Sequence, residues 1–165
     1  MDWLDLSIMR LRGVAQGRTP ETHSLTEALQ GKYHYTIGPY SDPVLKVRPG
    51  DCIVVETRDA FEGAIKTEQD LPSRVLTMPF VNPQNGPIMV EGAEKGDVIA
   101  VHIKSIRPRG PNPRGTCCMI PQFGALSGTS LTALLSDSLP EIVRKIDVDE
   151  DGVYWSKRVT LPYKP

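Results

Sequence analysis

The chain has 165 residues, with 19 Lys and Arg against 20 Asp and Glu, for a net charge of −1. That length suits one domain with a real core, expected to span residues 1–165. The charge balance lacks the basic footprint of a nucleic-acid binder. Apolar runs are only a few residues long, far from the roughly 20 needed to span a bilayer. Met1, Asp2, Trp3, Leu4 and Asp5 bring acids where a secretory signal would carry positive charge. The expectation is a cytoplasmic protein with neither a nucleic-acid nor a membrane partner.

The 15 prolines and 14 glycines imply many turns between short elements, and the apolar positions recur at strand spacing. The chain is therefore expected to be mainly β with little helix. Residues 12–17 read as a loop. Ser24, Leu25, Thr26 and Glu27 form a capping-box pattern, with Gly31 as a stop, for one short helix.

Residues 32–37 and 44–48 read as strands, and residues 52–57 follow a Pro49-Gly50 turn. The chain then repeats itself. Pro43-Val44-Leu45-Lys46-Val47, followed by Pro49-Gly50-Asp51 and Cys52-Ile53-Val54-Val55, parallels Pro87-Ile88-Met89-Val90, followed by Lys95-Gly96-Asp97 and Val98-Ile99-Ala100-Val101. In each copy the Gly is free to take positive φ, and the Asp can cap the turn ahead of a fully buried run. Two strand pairs of one design, stacked face to face, would make a sandwich core.

Residues 58–81 carry only weak strand signal, at 64–66 and 74–76, and a connection this long in a compact domain is usually functional. Residues 107–115 read as a Pro/Gly-rich loop and 127–139 as an exposed loop with at most one helical turn. Residues 141–147 and 153–161 read as a hairpin. Its Asp147, Asp149, Asp151 and Gly152 match the first half of a calcium-binding EF-hand loop. The final ligand position of such a loop falls on Arg158, however, so the segment reads as a polar turn. Cys52 and the adjacent pair Cys117-Cys118 fit neither a disulfide framework nor zinc-ligand spacing, and read as packing or loop thiols.

The densest concentration of turn residues is residues 82–97, Asn-Pro-Gln-Asn-Gly-Pro-Ile-Met-Val-Glu-Gly-Ala-Glu-Lys-Gly-Asp. This run resembles the acetamidase/formamidase family, whose members carry Asn-Pro-x-x-Gly-Pro-(Ile/Val)-x-Val-Glu-Gly-Ala-Glu-x-Gly-Asp. The resemblance extends upstream to Pro49-Gly50-Asp51 and Glu56-Thr57-x-Asp59, and downstream to Ile120-Pro121-x-Phe123-Gly124. It implies a jelly-roll-like β-sandwich and hydrolysis of a small aliphatic amide, of formamide or acetamide type, to carboxylate and ammonia. It also implies a divalent metal, zinc, and an oligomer.

Carried over by position, Asp59 is the first candidate for a catalytic carboxylate, as metal ligand or general base, against a solvated strand-end aspartate. Asn82 could orient the amide or form an Asx turn. Gly86 could admit the substrate close to the backbone or serve a plain turn, and Glu91 could be catalytic or structural. His34 and His102 read as core or face histidines, and His23 as part of a polar loop. Family members are much longer, so most metal ligands are expected outside this chain, in a C-terminal half or second subunit. The alternative is a β-sandwich binding or assembly module without a catalytic site.

Overall fold

The structure is a computed structural model that describes residues 3–10, 18–39, 41–108, 110–129, 137–149 and 151–162. It divides into two compact units: Met1–Arg58 with Pro83–Gly110, and Asp59–Asn82 with Pro111–Lys164. As expected, strands dominate and helix is scarce. Among the described residues no helix is long and apolar enough to cross a membrane.

The first unit contains β1 (Trp3–Arg10), β2 (Thr22–Leu25), α1 (Glu27–Gln30), β3 (Leu45–Val47), β4 (Cys52–Glu56), β5 (Ile88–Val90) and β6 (Ile99–Arg107). Four strands form a sheet in the order β2-β4-β1-β6, with β1 antiparallel to both neighbours and β2 parallel to β4. A second sheet is the parallel pair β3-β5.

The internal repeat is real, but its strands are distributed differently from the expected strand pairs. In each copy the first strand joins the two-stranded sheet and the second joins the four-stranded sheet, so the Gly-Asp turn carries the chain from one sheet to the other. The turns themselves match closely. Asp51 N donates to Arg48 O at 3.0 Å, and Asp97 N to Glu94 O at 3.0 Å. Each carboxylate returns the bond: Arg48 N donates to Asp51 Oδ2 at 3.0 Å and Glu94 N to Asp97 Oδ2 at 2.8 Å. Gly50 at φ 94° and Gly96 at φ 99° occupy the third turn position, where a type II turn demands positive φ. Both aspartates thus cap their turns.

The core of this unit lies between its two sheets. Leu25, Val47, Ile53, Val55 and Val90 are buried together, with Val44, Leu45, Ile88 and Ala93 packed against them. The alternating burial along β4 follows the two-residue period of a strand with one face inward. Burial of a side chain the size of Ile53 is worth about 1.5–3 kcal/mol. One expectation fails here: the run after Asp97 is not buried, since Val98, Ile99 and Val101 are 63%, 44% and 53% exposed.

The short helix forms and stops at Gly31 as expected, but it begins later than the Ser24 pattern implies. Ser24 and Leu25 belong to β2, and Thr26 is the N-cap, its Oγ1 accepting from Leu29 N at 3.2 Å. Leu25 is fully buried, which favours the strand over helix initiation at Ser24. Thr26→Ala should cost about 1 kcal/mol in thermal or urea unfolding, the usual worth of an N-cap. The expected strand at 32–37 reduces to one bridge, between His34 and Gln84. The loop expected at 12–17 lies outside the described residues.

The second unit contains α2 (Pro72–Val75), β7 (Arg114–Cys118), β8 (Val143–Val148), β9 (Gly152–Ser156) and β10 (Val159–Pro162), the strands forming an antiparallel sheet in the order β10-β9-β8-β7. The weak strand signal at 74–76 is overturned by α2, which Pro72 starts from its first turn, where a missing N–H is harmless. Residues 64–66 form no strand either. Ser73 N and Oγ donate to Glu141 at 2.6 and 2.7 Å, and Lys145 N to Glu68 Oε1 at 3.1 Å, fastening this long segment beside β8.

The C-terminal hairpin exists as β8 and β9, but the expected second arm bends at Lys157 and Arg158 into β10. Its turn is self-contained. Asp149 Oδ1 accepts from Asp151 N at 2.8 Å and Gly152 N at 3.1 Å, while Tyr154 Oη donates to Oδ2 at 2.8 Å. Asp147 instead pairs with Arg114 at 2.8 Å, so these acids act as parts of a polar hairpin. Most of the loop expected at 127–139 falls on residues 130–136, outside the described residues.

Candidate functional site

The 82–97 segment opens on Asn82, whose φ of 59° is left-handed, a conformation asparagine tolerates better than most residues. Its N–H donates to Ala60 O at 2.7 Å, next in sequence to Asp59. The structure therefore brings Asp59 and Asn82 near each other, within the second unit. Asp59 is exposed and lies in the loop beyond β4. Both its oxygens accept backbone N–H groups, Oδ1 from Phe61 at 2.8 Å and Oδ2 from Gly63 at 2.6 Å. A carboxylate can accept about four hydrogen bonds, so these two leave it capacity to accept more.

Asp59 also borders a cleft of about 460 Å³, with Lys66, Asn112, Arg114, Thr116 and Lys145 among its walls. Lys145 Nζ is held at the wall by Thr116 Oγ1 at 2.6 Å and Ile65 O at 3.1 Å. The ammonium groups of Lys66 and Lys145 border the cleft together with the Asp59 carboxylate, and Lys66 also interacts with the neighbouring Asp70.

Gly86 and Glu91 belong to the first unit, at opposite ends of β5. Gly86 is buried at φ 94°, and an added Cβ would stand 3.0 Å from Ile88 N. Its neighbour in space is Gln30, a residue with no signal in the sequence. Gln30 Oε1 accepts from Gly86 N at 2.7 Å and Asn85 Nδ2 at 3.3 Å, while Nε2 donates to Gly86 O and Lys32 O, both at 2.9 Å. Two donors and two lone pairs are all used, so this buried amide is fully satisfied. Asn85 Nδ2 also reaches Glu56 O at 3.0 Å. Glu91 is exposed and pairs with Arg48 Nε at 3.1 Å.

The same loop helps to form a small groove of about 180 Å³, bordered by His34, Thr36, Ser41, Gln84, Asn85 and Pro87. His34 and Gln84 exchange backbone bonds of 3.2 and 2.8 Å, and His34 Nδ1 lies 3.3 Å from Ser41 Oγ. His102 is exposed on β6.

His23, expected in a polar loop, is in β2 with Nε2 3.1 Å from Asp51 Oδ2. Asp51 is 1% exposed and also accepts from Arg18 Nη2 and from Glu21 N at 3.0 Å. Burial pushes its carboxyl up. The hydrogen bonds from Glu21, Arg48, His23 and Arg18 outweigh that and hold it well below the usual carboxylate range.

Among the described residues no group of three or more His, Cys, Asp or Glu side chains is placed to hold a metal ion. Asp59 belongs to no such group among the described residues, so these do not by themselves fit the divalent metal that the resemblance implies. Cys52, Cys117 and Cys118 are free thiols. Burial, with the neighbouring Cys117 and Glu141, raises the Cys118 thiol above its ordinary value, which lowers its thiolate fraction.

A model of the acetamidase/formamidase family matches residues 19–160, most of the chain and both of its units. The chain belongs to the acetamidase/formamidase family. It is similar to the crystal structure of acetamidase from Yersinia enterocolitica, with 67% identity and a TM-score of 0.84 over 93% of this chain and 46% of that one. It also resembles the crystal structure of acetamidase from Bacillus halodurans, at 20% identity and a TM-score of 0.61, over 84% of this chain and 42% of that one. The second likeness is one of fold alone. The chain spans less than half the length of either structure. A comparison with curated proteins found no match.

Proposed function

We propose that this chain forms the N-terminal portion, or one subunit, of a metal-dependent amidase that hydrolyses a small aliphatic amide to carboxylate and ammonia. The observation that carries this reading is the 67% identity to a protein called acetamidase, over 93% of the chain. Amide hydrolysis requires a polarised carbonyl, an activated water and a proton donor for the leaving nitrogen. A divalent metal would supply carbonyl polarisation or water activation, held by ligands from polypeptide beyond the described residues.

From this chain, the reading assigns Asp59 the acceptance of a proton from water through a free lone pair, while the Phe61 and Gly63 amides fix the carboxylate. Asn82, held beside it through Ala60, hydrogen-bonds the substrate amide. Gly86 and Glu91 support the loop, the first through Gln30 and the second through Arg48.

The test is ammonia release from formamide and acetamide by this chain co-expressed with the complementary half of the Yersinia acetamidase, with and without a chelator. Turnover abolished by the chelator is expected. Asp59→Asn should reduce kcat by roughly 10²–10⁴, the usual contribution of a positioned general base. A well-folded complex that releases no ammonia from either amide would overturn the amidase reading, and near-normal turnover by Asp59→Asn would leave Asp59 as a turn cap.

A further inference from the structure

The core face of the four-stranded sheet is covered on one side only. On β4, Ile53 and Val55 are 0% and 3% exposed, packed with Val47 of β3 and Val90 of β5. The strand register carries the same face across the sheet. Ile53 pairs with Leu6 and Leu6 with Ile103; Val55 pairs with Leu4 and Leu4 with Ile106. Directly paired residues project to one face, and alternate residues along a strand share it. Ile99, Val101, Ile103 and Ile106 therefore continue the core face, with the bulge between Asp5 and Leu6 keeping Ile106 in phase.

These four side chains are nonetheless 44%, 53%, 54% and 42% exposed. The opposite face of β6 carries Ala100 and His102, the alternation expected of a strand with one buried side. β6 is also the outermost strand of its sheet. Contiguous exposed apolar side chains on one strand face mark an interaction surface.

We propose that the β6 face is the docking surface for the remainder of an acetamidase-length polypeptide, which covers β6 as β3 and β5 cover β4. This rests on the amidase reading above. The occupant follows from length: the Yersinia acetamidase matches 93% of this chain with only 46% of its own, so a comparable amount of that enzyme lies outside the match. A face left open at the end of a half-covered sheet is where such additional polypeptide can complete a core.

The experiment is affinity co-purification of the tagged chain with the unmatched half of the Yersinia acetamidase, followed by titration of the purified partners. A one-to-one complex is expected. The double variant Val101→Lys/Ile103→Lys should weaken it by roughly tenfold or more, as for central interface residues. Val101→Thr/Ile103→Thr keeps strand propensity and should weaken it less, with unchanged circular dichroism for the free chain. Phe123→Lys, at a position 58% exposed in the other unit, should leave binding intact.

Absence of a complex, or a complex that both β6 variants leave undiminished, overturns the proposal. So does self-association of the chain alone that the Thr variant abolishes, which would make a second copy the occupant. Ammonia release measured on the same complexes separates the two readings: a β6-dependent complex without hydrolysis keeps the docking surface and removes the amidase assignment.

Discussion

Replacing Asp51 by alanine is expected to destabilise the chain by about 3–5 kcal/mol, the range for removing one partner of a buried charged pair. The carboxylate is 1% exposed and gathers Arg18, His23 Nε2, and the amides of Glu21 and Arg48. Without it those two amides lose their acceptor. Arg18 and His23, whose side chains are 28% and 24% exposed, can turn partly toward water, which places the loss toward the lower end of the range. Asp97→Ala is the internal control. It removes the equivalent cap from the second copy of the turn, where the bond to Glu94 N is exposed and water can replace it, and the loss of that bond should cost about 1 kcal/mol.

Acid should reproduce part of the Asp51 effect. Its carboxyl is held below the ordinary value of 3.8, so the folded state binds the proton less readily than the unfolded chain does. Stabilisation from this group is therefore complete above that value and is lost progressively as the pH falls below it. Urea unfolding between pH 7 and pH 3 should show an acid limb that Asp51→Asn flattens. An unchanged acid limb in that variant would mean that other carboxylates govern acid sensitivity.

The contrast between Asp51 and Asp97 also shows what the sequence makes legible. Both turns can be read because their chemistry is local: a Gly that accepts positive φ and an Asp three residues after the amide it caps. The β8–β9 hairpin is legible for the same reason, with Asp149 closing its own turn. Residues 82–97 identify the family through the spacing of Gly, Pro and acidic positions. The division of each repeat's strands between two sheets is not readable, because whether β5 pairs with β6 or with β3 depends on contacts more than 40 residues away, in the register of Leu45 with Ile88.

β1 and β2 are the clearest omissions. Leu4, Leu6 and Ile8 alternate in the sequence as a strand would, yet nothing local reveals that β1 sits between β4 and β6 at the centre of the sheet. Ser24 fits a helix start on its own, but parallel pairing of β2 with β4 claims it for a strand. The candidate site divides in the same way. Asp59 and Asn82 are legible by pattern, and Asn82 N bonds Ala60 O, next in sequence to Asp59. Gln30 carries no pattern, because three of its four side-chain hydrogen bonds meet a loop about 55 residues away.

Gln30→Leu should cost about 2–4 kcal/mol, because it leaves the buried N–H and carbonyl of Gly86 without partners. Leucine resembles glutamine in size, so the loss reports hydrogen bonding more than a cavity. Gly86→Ala attacks the same joint from the other side, at φ 94° with Ile88 N 3.0 Å from the new Cβ, and should cost about 1–3 kcal/mol in backbone strain. Since either change dislodges the Gly86 amide from Gln30, the double variant should be less destabilised than the two losses added together. Hydrogen exchange offers a direct readout. The Gly86 amide should be protected in the parent chain and should exchange much faster in Gln30→Leu, while the Asp51 region stays protected. Protection at Gly86 unchanged by loss of Gln30 would mean that the loop holds its shape through the His34–Gln84 bridge and the Asn85–Glu56 bond alone, which would make Gln30 a filler of space and not the staple of the family's signature loop.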